Sequence, residues 1–158
     1  MKTEEVTRLT GKVGEVSIME VERGAIKKYA DAVGDTNPLY WDEERARHSR
    51  YSSIVAPPGF FGWPTMLTGA MPLYSKLRSE MVATLAQYGY SRILDGGIEY
   101  EFFRPVQAGD TLAALDRIID VSEREGKTGK MVLAILETTY TNQKGNLVAR
   151  ARQTTIFR

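Results

Sequence analysis

Tyr29-Ala-Asp-Ala-Val-Gly-Asp-Thr-Asn-Pro-Leu-Tyr40 runs an apolar-periodic helix straight into a tight polar turn. Ile26, Tyr29, Ala30 and Val33 recur at helical spacing and Gly34 stops the run, which predicts a helix from roughly Glu22 to Val33. Thr36-Asn37-Pro38 cannot extend it, because a residue before proline is pushed out of the α region. Asp35 therefore falls on a constrained turn, where an acidic group is held in place and can do chemistry. Just beyond, Asp42 reads as the cap of a short helix reaching His48. Glu43 and Glu44 fill its first turn, where the helix dipole favours acids. Just upstream, Val16 to Val21 reads as a short strand.

Downstream, Val55-Ala-Pro-Pro-Gly-Phe-Phe-Gly-Trp-Pro64 is apolar and full of backbone punctuation, as suits a rigid approach to a buried helix. Leu73, Leu77, Met81, Leu85 and Tyr88 form one stripe, with Gly89 as a C-terminal stop, so a long helix precedes residue 90. The period then changes to two. Ile98, Tyr100 and Phe102 alternate with Glu99, Glu101 and Phe103. Val132, Ala134, Leu136, Thr138 and Tyr140 form one face of a later strand, and Leu147, Ala149 and Ala151 begin the last. Glu125-Gly-Lys-Thr-Gly129 and Asn142-Gln-Lys-Gly-Asn146 read as hairpin turns. The C-terminal portion is expected to be an antiparallel meander of about four strands. Helices first and antiparallel strands later predict an α+β domain with its sheet packed on a helix.

The bulk numbers narrow the function. A length of 158 residues fits a single domain, 1–158, with a sizeable core. A formal net charge of +1 gives no basic footprint for nucleic acid. Cysteine is absent and there is one histidine, His48, which excludes thiolate catalysis and argues against a zinc site; no metal is expected. No run approaches the ~18 apolar residues of a membrane span, and no secretory h-region is seen, so the expected compartment is the cytoplasm. There is no phosphate-cradling glycine loop. Ser52 and Ser53 have no adjacent base that would make a triad.

Three motifs occur in order: Gly34-Asp35-Thr36-Asn37-Pro38, then Ala56-Pro57-Pro58-Gly59, then Phe103-Arg104-Pro105-Val106-Gln107-Ala108-Gly109-Asp110-Thr111-Leu112. Together they resemble the MaoC-like dehydratase branch of the hotdog superfamily, and more narrowly the N-terminal dehydratase-like domain related to type I fatty acid synthase dehydratases. The resemblance runs from about Val16 to Phe157. It implies an antiparallel sheet wrapped around a long central helix, and pairing of two hotdog units as a homodimer or heterodimer. The implied substrate is an acyl thioester of coenzyme A or of an acyl carrier, with no separate cofactor. The implied reaction is reversible, (R)-specific addition of water to a trans-2-enoyl thioester in fatty acid metabolism. In that family an aspartate and a histidine five residues later hold the water, and a backbone N–H at the start of the central helix polarises the carbonyl. Carried over, Asp35 matches the acid, Asn37 and Pro38 match the loop that shapes the site, and Gly59 or its neighbours supply the N–H. Phe60, Trp63 and Arg104 are further substrate-binding candidates, Arg104 for a coenzyme phosphate or the pantetheine arm. Tyr40 stands where the histidine belongs.

That departure bears on mechanism. Imidazole titrates near 6.5 and serves as a base at neutral pH, whereas a phenol titrates near 10 and keeps its proton. Losing a positioned acid–base group costs about 10²–10⁴ in rate. Three readings remain open at this point: a substrate-binding subunit whose partner supplies the intact pair, a hydro-lyase in which Asp35 works with Tyr40, and a plain acyl-thioester binder. A hotdog thioesterase with a lone carboxylate is the rival class. His48, at the end of the charged run Glu43-Glu-Arg-Ala-Arg-His48, reads as a solvated helix end. Arg150 and Arg152 read as a charged outer face of the last strand. The stripe Leu73, Leu77, Met81 and Leu85 reads as packing.

Overall fold

The computed structural model describes residues 2–60, 75–126 and 129–158, with side chains from residue 4 onward. The described elements run α1 (Lys2–Thr7), β1 (Ser17–Glu20), α2 (Arg23–Ala32), a 3₁₀ turn (Pro38–Tyr40), α3 (Glu43–Arg47), α4 (Lys76–Gln87), β2 (Ile93–Phe102), β3 (Thr111–Gly126), β4 (Gly129–Asn142) and β5 (Leu147–Phe157). The five strands form one antiparallel sheet in the order β1-β3-β4-β5-β2.

Local chemistry explains most of these boundaries. In α2 the buried residues Ala25, Ile26 and Ala30 lie on one face. It ends where Gly34 takes φ +68°, a conformation that L side chains adopt only with strain. Asp42 caps α3 by accepting from the N–H groups of Glu44 at 3.0 Å and Arg45 at 3.1 Å. Ser75 caps α4, which buries Leu77, Met81 and Leu85. Leu73, the first member of that stripe, lies outside the described residues, as do the Phe61 to Pro64 part of the approach segment and Lys127-Thr128 of the first hairpin turn. The second hairpin turn is closed by Asn142, whose Oδ1 accepts from Lys144 at 3.1 Å and Asn146 at 3.0 Å. The N-terminal helix α1 has no strong periodic signal in the sequence; Val6 and the following Leu9 are its buried anchors.

The expected four-strand meander needs correction. Only β3-β4-β5 is a meander; β2 pairs with β5, at the opposite edge from β1. The reason lies in the connections. Gly126 pairs with Gly129 across the β3–β4 connection and a tight turn joins β4 to β5, but Phe103 to Asp110 between β2 and β3 contains Pro105 and does not fold the two strands onto each other. This segment is instead engaged elsewhere. Ala56 N–H donates to the Val106 carbonyl at 2.8 Å, Ala108 N–H to Ile54 at 2.9 Å, and Gly109 N–H to Val21 at 2.9 Å. It therefore ties the end of β1 and the Pro57-Pro58 approach together beside the turn at Asp35.

Two buried clusters share the inner face of the sheet. One holds Met19, Val21, Ile26, Phe60, Leu112, Tyr140, Ala149 and Ala151, with Tyr29, Tyr40 and Tyr100 packed against it. The other holds Val6, Leu9, Leu77, Met81, Leu85, Ile118, Val132 and Phe157. A register shift between Ile118 and Asp120 in β3 keeps both Ile118 and Val121 facing inward. On the outer face, register sets Glu99, Arg152, Glu137 and Arg117 in a row across β2, β5, β4 and β3. The Arg150–Glu101 and Arg152–Glu137 ion pairs, at 2.9 and 2.8 Å, belong to that charged surface.

Candidate functional site

The turn after α2 is wound around Asp35. Its N–H donates to the Ala30 carbonyl at 2.9 Å, and its own carbonyl accepts from the Trp41 indole N–H at 2.9 Å. Oδ1 accepts from the Asn37 N–H at 3.0 Å, an Asx turn that fixes the carboxylate relative to its backbone. Oδ2 makes no hydrogen bond to the described residues. Asn37 repeats the device, since its Oδ1 accepts from Leu39 N–H at 3.1 Å and caps the Pro38–Tyr40 turn, with Pro38 in its first position. Two successive side-chain caps thus present a half-buried carboxylate on a rigid support.

Tyr40 is half-buried beside it. Burial raises its phenol above the ordinary tyrosine value, the Asp35 carboxylate raises it further, and a hydrogen bond with the Asn37 side chain works in the other direction. The net effect is a phenol that holds its proton at neutral pH and serves as a donor, not a base. The residue is anchored from behind, because the Leu39 carbonyl accepts from Val55 N–H at 3.1 Å. The turn is thereby joined to the approach segment that leads to Gly59.

Gly59 has φ +82°, and the Phe60 N–H donates to the Pro57 carbonyl at 3.2 Å. Phe60 is fully buried. Its ring meets Tyr29 edge to face, with centroids 5.9 Å apart and an interplanar angle of 89°. The Tyr29 hydroxyl reaches the Pro58 carbonyl at 3.4 Å. Asp35, Asn37, Pro38, Tyr40, Gly59 and Phe60 thus belong to one connected neighbourhood, held by α2 and the 54–60 segment. Arg104 stands apart in the loop after β2, exposed, with its N–H on the Val148 carbonyl at 3.1 Å. Trp63 lies outside the described residues. His48 is exposed at the end of α3, with Nδ1 2.8 Å from the Glu44 carbonyl of its own helix.

Sequence reading passed over two residues here. Tyr29 falls in the helical repeat, and nothing in its spacing announces that its hydroxyl meets the 58–59 peptide. Trp41 stands one residue past the turn that the motif defines. Its hydrogen bond to Asp35 spans six residues through a turn, which periodicity does not reveal.

The sheet, the helical layer and the carboxylate turn define a hotdog protein of the MaoC-like dehydratase class. The chain matches the family described as FAS1-like, dehydratase domain region, over residues 8–151, and belongs to it. It is 31% identical, over 80% of its length, to a probable enoyl-CoA hydratase alpha subunit from Thermomonospora curvata, and spans 41% of that relative's length. Among solved structures it resembles a chain of the ChsH1–ChsH2 complex from Mycobacterium tuberculosis, with TM-score 0.81, 20% identity and coverage of 97% of this chain and 93% of that one. It also resembles a chain of the HadBC (3R)-hydroxyacyl-ACP dehydratase complex from the same organism, with TM-score 0.67, 26% identity and coverage of 94% and 96%. No described helix is long and apolar enough to cross a membrane.

Proposed function

We propose that this chain is the substrate-holding subunit of an (R)-specific enoyl-thioester hydratase or 3-hydroxyacyl-thioester dehydratase, and that a second hotdog chain supplies the complete acid–base pair. The observation that carries the reading is the pairing of Asp35 with Tyr40. A fixed carboxylate faces a phenol whose proton is held more firmly than usual. Such a pair can orient water or a hydroxyl group but lacks a base matched to neutral pH. The sole histidine, exposed and turned onto its own helix, offers no replacement.

Three further facts support a two-chain arrangement. The Thermomonospora relative is described as an alpha subunit, and both solved neighbours are complexes. β2 is an edge strand of ten residues with Ile93, Leu94, Ile98 and Phe102 between 42% and 49% exposed. Unpaired, apolar edges of this length are normally covered. In the assembled site Asp35 and Tyr40 would contact the β-carbon side of the acyl group, and Asn37 and Pro38 would keep the loop in shape. The Gly59 N–H would polarise the thioester carbonyl with Phe60 behind it, and Arg104 would meet the coenzyme phosphates at the mouth. Coenzyme A or an acyl carrier enters as part of the substrate.

The test is to incubate the purified chain with a short enoyl-CoA, following both enoyl absorbance and thiol release, with Asp35→Asn alongside. We expect thioester binding with negligible turnover alone, and hydration once a histidine-bearing hotdog partner is added. Robust hydration by the isolated chain, abolished in Asp35→Asn, would overturn the partner-subunit reading in favour of a self-sufficient hydro-lyase. Thiol release without loss of the double bond would place the chain among the thioesterases. Binding with no turnover under any pairing would leave a plain acyl-thioester binder.

A further inference from the structure

Pro57 to Phe60 forms a four-residue turn whose character is fixed by its sequence. The Phe60 N–H closes it on the Pro57 carbonyl at 3.2 Å. Proline at the second position holds φ near −65°, and Gly59 at the third has φ +82°, which together make a type II turn. Types I and II differ by a flip of the central peptide, here the one joining Pro58 to Gly59. In a trans peptide the C=O and N–H point in opposite directions, and the described chain has no cis bonds. Whatever holds the Pro58 carbonyl therefore aims the Gly59 N–H the other way.

Tyr29 is the side chain that reaches it. Its hydroxyl is 3.4 Å from the Pro58 carbonyl, and its ring is wedged edge-on against buried Phe60. The same hydroxyl would lie 2.7 Å from a Cβ placed on Gly59, so hydroxyl and glycine are matched in size as well as in polarity. The donor inventory of the segment singles out Gly59. Pro57 and Pro58 have no N–H, that of Ala56 is taken by Val106, and that of Phe60 closes the turn. Gly59 alone in residues 56–60 retains an N–H without a partner among the described residues.

We infer that Tyr29 is a positioning residue: it locks the Pro58–Gly59 peptide in the type II orientation and so aims the Gly59 N–H at the thioester carbonyl. The inference rests on the thioester reading above and adds to it a residue outside the Asp35 turn. An oxygen that gains negative charge in the transition state is stabilised by a donor already pointing at it, and a peptide free to flip loses that advantage.

The experiment measures butyryl-CoA binding by calorimetry, and the carbonyl stretch of bound butyryl-CoA labelled with ¹³C at the thioester carbon, in the unmodified chain and in Tyr29→Phe. The unmodified chain should bind with the stretch shifted to lower frequency. Tyr29→Phe keeps the ring, so binding should stay within about three-fold while at least about half of the carbonyl shift is lost. A second arm compares Gly59→Ala in both backgrounds by thermal unfolding. The added methyl collides with the Tyr29 hydroxyl at 2.7 Å, whereas the next atom of the ring is 3.9 Å away, so part of the loss in Tm should be recovered when Tyr29 is phenylalanine. An unchanged carbonyl shift in Tyr29→Phe, with binding intact, would overturn the positioning role and leave the thioester reading standing. Strictly additive Tm losses would overturn it as well. Failure of the unmodified chain to bind the thioester would sink the functional reading first, and the inference with it.

Discussion

The two ends of the inner sheet face are built from different materials. Around Phe157, at the end of β5, the core is mostly aliphatic: Leu77, Met81, Leu85, Ile118 and Val132 meet with almost no exposed surface, and Tyr90 is the one buried phenol among them. Around Ala149 and Ala151, near the start of the same strand, four tyrosines join the apolar residues Ile26, Phe60 and Leu112. Tyr100 stands opposite Ala151 in register and Tyr140 opposite Ala149. Tyr29 and Tyr40 complete the set against the same cluster. Small residues beneath large phenols yield less apolar burial per residue but bring hydroxyl groups to the edge of the core. The aliphatic end is built for stability, and the phenolic end supports the carboxylate turn.

Phe157→Ala tests the first half of that contrast and carries the largest expected effect. The ring is fully buried and faces α4, so its removal should cost about 3–5 kcal/mol in chemical denaturation. A loss below about 1 kcal/mol would mean that this end is plastic and the contrast false.

Tyr40→His attacks the other end. It places an imidazole beside Asp35 in the arrangement the family uses, and the isolated chain should then gain enoyl hydration by about 10²-fold, the lower range for a positioned acid–base group. No gain, with the fold intact by circular dichroism, would show that the turn holds Asp35 in a geometry no imidazole at residue 40 can use.

Alkali should probe the phenols around Ala149 and Ala151 more gently. Burial raises the Tyr140 phenol strongly, and burial also raises Tyr100 and Tyr29. A tyrosine whose folded value lies above its unfolded value of about 10 contributes stability that is whole below that pH. That contribution is lost as pH rises through the folded value, because the unfolded chain releases the proton first. Each such group steepens the fall by at most about 1.4 kcal/mol per pH unit. Urea denaturation from pH 9 to 11 should therefore give a shallower slope for Tyr140→Phe than for the unmodified chain. Equal slopes would mean that the phenolic end tolerates charge.

What sequence alone made legible follows the range of the interactions. The Gly34 stop, the Asp42 cap, the Leu77, Met81 and Leu85 part of the α4 stripe and the Asn142 turn are each written within a few residues, and each took the expected form. The position of β2 was not legible, because its partner β5 lies some fifty residues downstream and Phe103 to Asp110 does not fold β2 onto β3. In the site, Asp35 and Tyr40 share one turn and could be read together. Tyr29 and Gly59 meet across thirty residues, and a tyrosine in an apolar stripe looks the same whether its hydroxyl packs or positions.

The smallest expected effect concerns the seam between the two halves of the site. Asn37 caps the Pro38–Tyr40 turn through Leu39 N–H, and Leu39 in turn holds Val55 through its carbonyl. Asn37→Ala removes one side-chain cap and should lower stability by about 1 kcal/mol. If the cap only supports the fold, Asn37→Asp, which keeps the acceptor, restores both stability and thioester affinity. If the Asn37 amide also steadies the Tyr40 phenol, Asn37→Asp restores stability but not the function of the site, because a second carboxylate beside Asp35 draws the Tyr40 proton tighter still. Measuring unfolding free energy and butyryl-CoA affinity on both variants separates the two, and parallel recovery would reduce Asn37 to a turn former.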